Sequence, residues 1–301
     1  MPWEIIVPEN EQPKKLGNFL KKRFPIGYVR RLFRKNAVRL NGRRSAPTET
    51  AGPGDRIQLF IPFDEKPRAR TGKTASADKL AILFEDEHVI VVHKPAGVAV
   101  HEGKEVARHQ SLLGMLEAIY RPQGVIPKLV HRLDRETSGV VVVAKGEKMA
   151  EELERRFEQS EVEKEYLALV VGRLYPKEGR ISLPLPGRDG KPVSALTLYR
   201  AEHEFATTSL VRVKTETGRM HQIRLHFAQL GHPLVMDSRH GDFAFNRQFR
   251  KAHGLRRLFL HASSIAFHYK GKKQEWSAPL PDDLARTLKS LEDLAVPTRR
   301  A

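Results

Sequence analysis

"LVHRLDRETSGVVVVAK", Leu129 to Lys145, sets Arg132, Asp134, Arg135 and Glu136 in a short stretch against four consecutive valines. Val140 to Val143 form a β-branched apolar run bounded by Ser138-Gly139 and Lys145-Gly146, which predicts a strand buried on both faces. Asp134 then sits at the lip of a core. A desolvated carboxylate without a partner costs several kcal/mol, roughly, so the rest of the chain has to supply one.

Working outward, "HVIVVHKPAG" reads as a strand followed by a turn, with Pro95 and Gly97 where a β-turn takes them. After the valines, "EKMAEELERRFEQ" places Met149, Leu153 and Phe157 on one helical face, and "EKEYLALVVGRL" returns as a strand with Tyr166 near its start. "FATTSLVRVKTET" is another strand. In "TGRMHQIRLHFAQLGHP", Thr217 as N-cap and Gly231 as the C′ residue predict a helix from Arg219 to Leu230. A last helix is expected around Leu284, Leu288 and Leu291. Strands outnumber helices without alternating strictly with them, so this region, residues 80–295, is expected to be α+β around a mixed sheet.

The N-terminal region differs. From Lys14 to Arg44 there are twelve Lys or Arg and no Asp or Glu. Leu16, Phe19 and Leu20 make one apolar helical stripe and Val29, Leu32 and Phe33 a second, which leaves Lys14, Lys21, Arg30, Arg31, Arg34 and Lys35 for the outer faces of two short helices. A strand at Val38 to Leu40, a tight turn at Asn41-Gly42 and a strand with alternating Ile57, Leu59 and Ile61 complete a compact αα-β unit, residues 1–62. Residues 63–79, rich in proline, charge and small polar side chains, read as a linker, and 296–301 as a basic tail.

The 301 residues carry 53 Lys+Arg against 36 Asp+Glu, a formal charge of +17, and that excess calls for a polyanionic partner. Nucleic acid is expected over a membrane surface, because no strongly apolar amphipathic helix accompanies the charge. No apolar run approaches the ~18 residues of a membrane helix, and the acidic, proline-containing start lacks the pattern of a signal peptide, so a cytoplasmic protein is expected. With no cysteine, thiol catalysis and Cys-ligated zinc are excluded. There is no GxxxxGK[ST] loop and no GxGxxG after a strand. His221 and His226, five positions apart, are poor co-ligands for a metal whether on a helix or a strand. No cofactor and no metal are expected.

One loop carboxylate, Asp134, remains in a basic environment. Arg224, on the helix through "HQIRLH", offers an enclosed counterion that would orient an aspartate in its charged form. Tyr166 could stack on a base and still use its hydroxyl. From the residues alone, a structural ion pair beside a core tyrosine is a better account of these three than a catalytic site.

"HRLDRETSG" resembles the signature of the RluA-type pseudouridine synthases. "FEDEHVIVVHKPAGVAVHEG", "EKEYLALVVG" and "TGRMHQIRLHFAQLGHPLVMD" resemble the opening strand and turn, the tyrosine motif and the arginine motif of the same family, in the same order, and the basic N-terminal unit resembles the small RNA-binding domain shared with ribosomal protein S-four. The resemblance implies a mainly antiparallel catalytic sheet, isomerisation of uridine without a cofactor, and Asp134, Tyr166 and Arg224 as the catalytic set. It further implies His131, Arg132, Arg219, His221 and Gln222 at the substrate, with Arg132 filling the space a flipped uridine leaves. "DSRHGDFAFNRQF" and "RRLFLHA" look most like the branch acting on large-subunit ribosomal RNA. Ribosomal RNA is the expected partner, with a transfer RNA substrate or a non-catalytic RNA-binding ribosome-assembly factor as the alternatives, and the protein is expected to act as a monomer. His240 stands where a tyrosine is common in the family.

Overall fold

The structure, a computed structural model, describes residues 3–9, 11–21, 29, 32–34, 36–60, 80–103, 106–187 and 191–295. Arg30, Arg31, Lys35, Ile61, the segment 63–79 and the tail 296–301 lie outside the described residues. The chain divides into two compact units, 1–73 and 74–301.

In the first unit the helix Leu16–Lys21 buries Leu16, Phe19 and Leu20 against Val29, Leu32, Val38, Ile57 and Leu59. Val29 and residues 32–34 are helical. A four-stranded antiparallel sheet runs in the order Trp3–Ile6, Arg56–Leu59, Val38–Leu40, Arg43–Arg44. Asn41 and Gly42 turn the hairpin with φ of 50° and 82°, the left-handed pair a two-residue hairpin takes. Lys21 and Arg34 are exposed, whereas Lys14 is partly buried and ion-paired with Glu11.

The second unit is built on a ten-stranded sheet. Eight strands run edge to edge as Glu178–Ile181, Thr197–Glu204, Thr208–Thr215, Glu163–Val171, Leu260–Tyr269, Ser138–Lys145, Val89–Lys94 and Ala81–Glu85, with Lys272–Ser277 and Pro127–Leu129 paired off this path. The α+β architecture with a mixed, mainly antiparallel sheet is as expected. The one parallel pairing among the described strands joins Ser138-Gly139 to His261-Ala262.

The valine strand is buried from Ser138 to Ala144. Val140 and Val142 face Leu153, Ile265 and Trp276, while Val141 and Val143 face Ile90, Val92, Leu112 and Leu116, so alternate residues enter two cores. Each buried valine contributes up to about 1.5–3 kcal/mol. Gly139, at φ 130°, is what lets this strand approach its parallel neighbour, since a Cβ there would lie 2.1 Å from the Ala262 carbonyl oxygen.

The helix expected from Arg219 is corrected to Gln222–Gln229. Thr217 does not cap it: its hydroxyl donates to Gln222 Oε1 at 2.7 Å, and His221 occupies the cap position in the left-handed region at φ 54°. The Gln222 side chain folds back and takes over the loop that would have continued the helix. Gly231 does follow the helix at φ 79°. The strand Ala81–Glu85, the helices Leu112–Tyr120 and Phe243–His253 and the hairpin Leu260–Tyr269/Lys272–Ser277 add to the elements read from sequence.

Candidate active site

Asp134 lies in the loop that feeds the valine strand, where the Thr137 amide donates to its carbonyl at 3.1 Å. The turn after Lys94 holds this loop from below. The Gly97 amide donates to the Arg135 carbonyl at 2.7 Å, and Arg135 Nε returns to the Gly97 carbonyl at 3.0 Å. Lys94, wholly buried, donates Nζ to the carbonyls of Pro95, Val98 and Arg135 at 3.1, 2.8 and 3.4 Å. Burial pushes its ammonium down to about 7, with the Asp134 charge opposing the shift.

Arg224 is 1% exposed and joins two carboxylates. Its Nε and Nη2 donate to Asp237 Oδ2 and Oδ1 at 2.7 and 2.8 Å, and its Nη1 reaches Asp134 Oδ2 at 3.1 Å. Glu136 Oε2 stands 3.6 Å from the same Nη1. Burial alone would raise the Asp237 pKa, yet Arg224 and the amides of His240 and Arg239 together hold it below its usual value. Asp237 thus fixes the guanidinium plane, and the third donor is aimed at the more accessible Asp134.

A cavity of about 270 Å³ opens beside this pair, lined by Arg132, Leu133, Asp134, Phe157, Lys164, Tyr166, Thr215 and Met220 among others. Tyr166 enters from the strand Glu163–Val171 at a register shift next to Glu165. Burial pushes its phenol up to about 12, with Thr215 lowering it and the Asp134 charge adding to the rise, so it stays protonated at neutral pH. Arg132 is exposed at the cavity and makes no ion pair among the described residues.

The remaining expected site residues fall into different places. Arg219 lines the cavity with Nε on the Ser194 carbonyl at 3.1 Å. His131 lines it too, but its Nε2 accepts from the Val142 amide at 2.8 Å and its ring stacks on Phe157. Burial, then Lys164, pushes the His131 imidazole down to about 3. Gln222 is a brace: its Nε2 donates to the Leu196 carbonyl and Thr197 Oγ1, and its Oε1 accepts from Thr217 and the Arg219 amide, which leaves no free amide group for a substrate. His226 is occupied by Thr197 and the Leu183 carbonyl. His221 Nδ1 meets His240 Nε2 at 3.0 Å, with its own Nε2 3.8 Å from Asp134 Oδ2. If His240 donates to His221 Nδ1, the single His221 proton sits on Nε2 toward the carboxylate; the reverse tautomer would aim a lone pair at it.

Asp237, His240 and Lys94, which hold Arg224, His221 and the Asp134 loop without lining the cavity, are positioning residues that sequence reasoning did not assign. An oriented carboxylate and a protonated phenol in one cavity can hold one planar ring and move a proton to or from it.

Residues 88–229 match the RNA pseudouridylate synthase family. The chain is 34% identical over 315 residues to ribosomal large subunit pseudouridine synthase C of Escherichia coli O157:H7, covering 96% of each chain. It belongs to the RNA pseudouridylate synthase family. The Yersinia pestis protein of the same name is 34% identical over 312 residues, with 95% of each covered. Among solved structures, human RNA pseudouridylate synthase domain containing 4 superposes with a TM-score of 0.61 at 25% identity, over 70% of this chain and 93% of that one. Human RNA pseudouridylate synthase domain containing 1 does so with 0.54 at 27% identity, over 72% and 96%. The RluA-type resemblance therefore holds. A pseudouridine synthase breaks the bond from uracil N1 to ribose C1′ and forms one from C5; C5 loses a proton and N1 gains one, so no atom or electron is left over.

Proposed function

We propose that this pseudouridine synthase modifies uridines of large-subunit ribosomal RNA, with Asp134 as the essential carboxylate, Tyr166 packed on the uracil and Arg224 orienting Asp134. The observation that carries the assignment is that Asp134 Oδ2, 3.1 Å from a buried arginine, shares one cavity with the protonated phenol of Tyr166. Arg132, unpaired at the cavity, fills the space left by the flipped nucleotide. Lys21 and Arg34 of the first unit contact phosphates of the surrounding RNA. The names of the bacterial relatives support the ribosomal substrate. Purified protein in chelator-containing buffer should release tritium from large-subunit transcripts labelled at C5 of uridine and leave transfer RNA transcripts unmodified. Release from transfer RNA alone would overturn the substrate, and no release from either would overturn the reaction.

A further inference from the structure

From Phe243 to Arg257 the chain carries five Lys or Arg and no Asp or Glu. Most of this stretch is the helix Phe243–His253, capped by Asp242, whose Oδ1 accepts from the Ala244 and Phe245 amides at 2.9 Å. One side faces inward, with Asn246 and Phe249 buried and His253 Nδ1 on Ser290 Oγ at 2.9 Å. At about 100° per residue, Phe243, Arg247, Arg250 and Lys251 fall within an arc of about 100° on the outer side. All four are exposed, Phe243 at 53%, and exposed Arg256 follows just beyond the helix.

Within this stretch Arg257 is the one cation with an ion pair among the described residues, to Asp283. Arg108, Arg121, Arg156 and Arg212 of the same unit each hold a carboxylate. Among the described residues, Arg247, Arg250, Lys251 and Arg256 hold none. A helix dipole favours bases in the last turn, which accounts for Arg250 and Lys251. It does not account for Arg247, for Arg256 past the end, or for an uncovered phenylalanine beside them.

The helix is also bolted to the catalytic network. Asn246 Oδ1 accepts from the Met236 amide at 2.7 Å, and Asn246 Nδ2 donates to the carbonyl of Asp237, the residue that fixes Arg224. Its first turn follows directly on His240, which touches His221. The exposed aromatic is thus at the end nearer the site, and the cations lead away from it.

We propose that this face carries the RNA strand flanking the target uridine, with Phe243 stacked on an unpaired base and Arg247, Arg250, Lys251 and Arg256 on successive phosphates. The proposal rests on RNA being the substrate. The test is fluorescence anisotropy with a labelled large-subunit RNA transcript over a series of salt concentrations, with melting temperatures taken in parallel. The variant Arg247→Gln/Arg250→Gln/Lys251→Gln should bind more weakly, with the slope of log K against log salt reduced by about 2 units. Arg247→Lys/Arg250→Lys/Lys251→Arg should keep the wild-type slope. Phe243→Ala should weaken binding about fivefold or more with the slope unchanged. A folded triple-Gln variant with the wild-type slope overturns the proposal. If that variant does not fold, a Phe243→Ala protein that binds as wild type overturns it. Absence of salt-dependent binding by the wild-type protein would instead overturn the RNA reading beneath it.

Discussion

Two arginines grip the same short segment. Arg224 is bidentate to Asp237 and sets its Nη1 3.1 Å from Asp134; Arg257 pairs two nitrogens with Asp283 and sets its Nη1 3.1 Å from Ser138. Each arrangement also has a histidine beside the gripped residue. The difference lies in what is left over. Ser138 accepts from Arg257 and donates to His261 Nδ1 at 3.0 Å, while His261 Nε2 donates to the Ala278 carbonyl at 3.2 Å, so that chain of donors is used up inside the protein. Asp134 receives one donor, is 16% exposed at its side chain, and turns the rest of its capacity to the cavity. The same construction makes a brace where it closes and, on the function proposed for Asp134, a reactive site where it stays open.

The comparison breaks most completely at Asp134. Asp134→Asn keeps the shape and removes the charge; tritium release should fall at least ~10³-fold, about 4 kcal/mol, while RNA binding stays within roughly tenfold. Turnover by a folded, RNA-binding variant would reduce Asp134 to the role Ser138 plays. Asp237→Asn comes next, since it leaves a buried guanidinium without its main partner. A loss of about 3–5 kcal/mol in denaturant unfolding is expected, together with lost activity in the folded fraction.

The closed brace should show itself through pH. Burial pushes the His261 imidazole from 6.5 down to about 4. The unfolded chain takes up this proton below about 6.5 and the native protein only near 4, so the stabilisation is complete above 6.5 and is lost as pH falls toward 4. The slope is about 1.4 kcal/mol per pH unit. His261→Gln should flatten that part of a stability profile; an unchanged slope would place its origin elsewhere. Ser138→Ala should be mildest, costing about 1–3 kcal/mol because it strands the donor of Arg257 and the acceptor of His261. Its kcat, measured well below the melting temperature, should stay near wild type.

The valine strand was legible because four β-branched residues between glycines admit little else. The Asn41-Gly42 turn was legible because its backbone demands those residues. The start of the helix at Gln222 was not, because Thr217 has the chemistry of a cap and only the reach of the Gln222 side chain diverts it. Asp134 and Arg224 could be paired because a loop carboxylate at the lip of a core calls for an enclosed counterion, while a catalytic role for the pair came only from family resemblance. Asp237 escaped notice because "LVMDSRH" carries no periodicity, and its role exists only once the loop lies beside Arg224. The helix Phe243–His253 does carry boundary signals in the sequence, Asp242 before it and Gly254 after it.

The parallel junction at Ser138-Gly139 and His261-Ala262 has a consequence for the order of folding. On one side lie the antiparallel strands from Ala81 to Lys145, on the other those from Glu163 to Ser277, a set in which Glu163–Val171 itself reaches across about ninety residues to Leu260–Tyr269. The two-residue junction closes a loop of more than a hundred residues, a slow and late event for a growing nucleus. Asp134 belongs to the first set, Tyr166 and Arg224 to the second. During refolding from denaturant, recovery of catalytic turnover should therefore lag behind recovery of the far-ultraviolet signal.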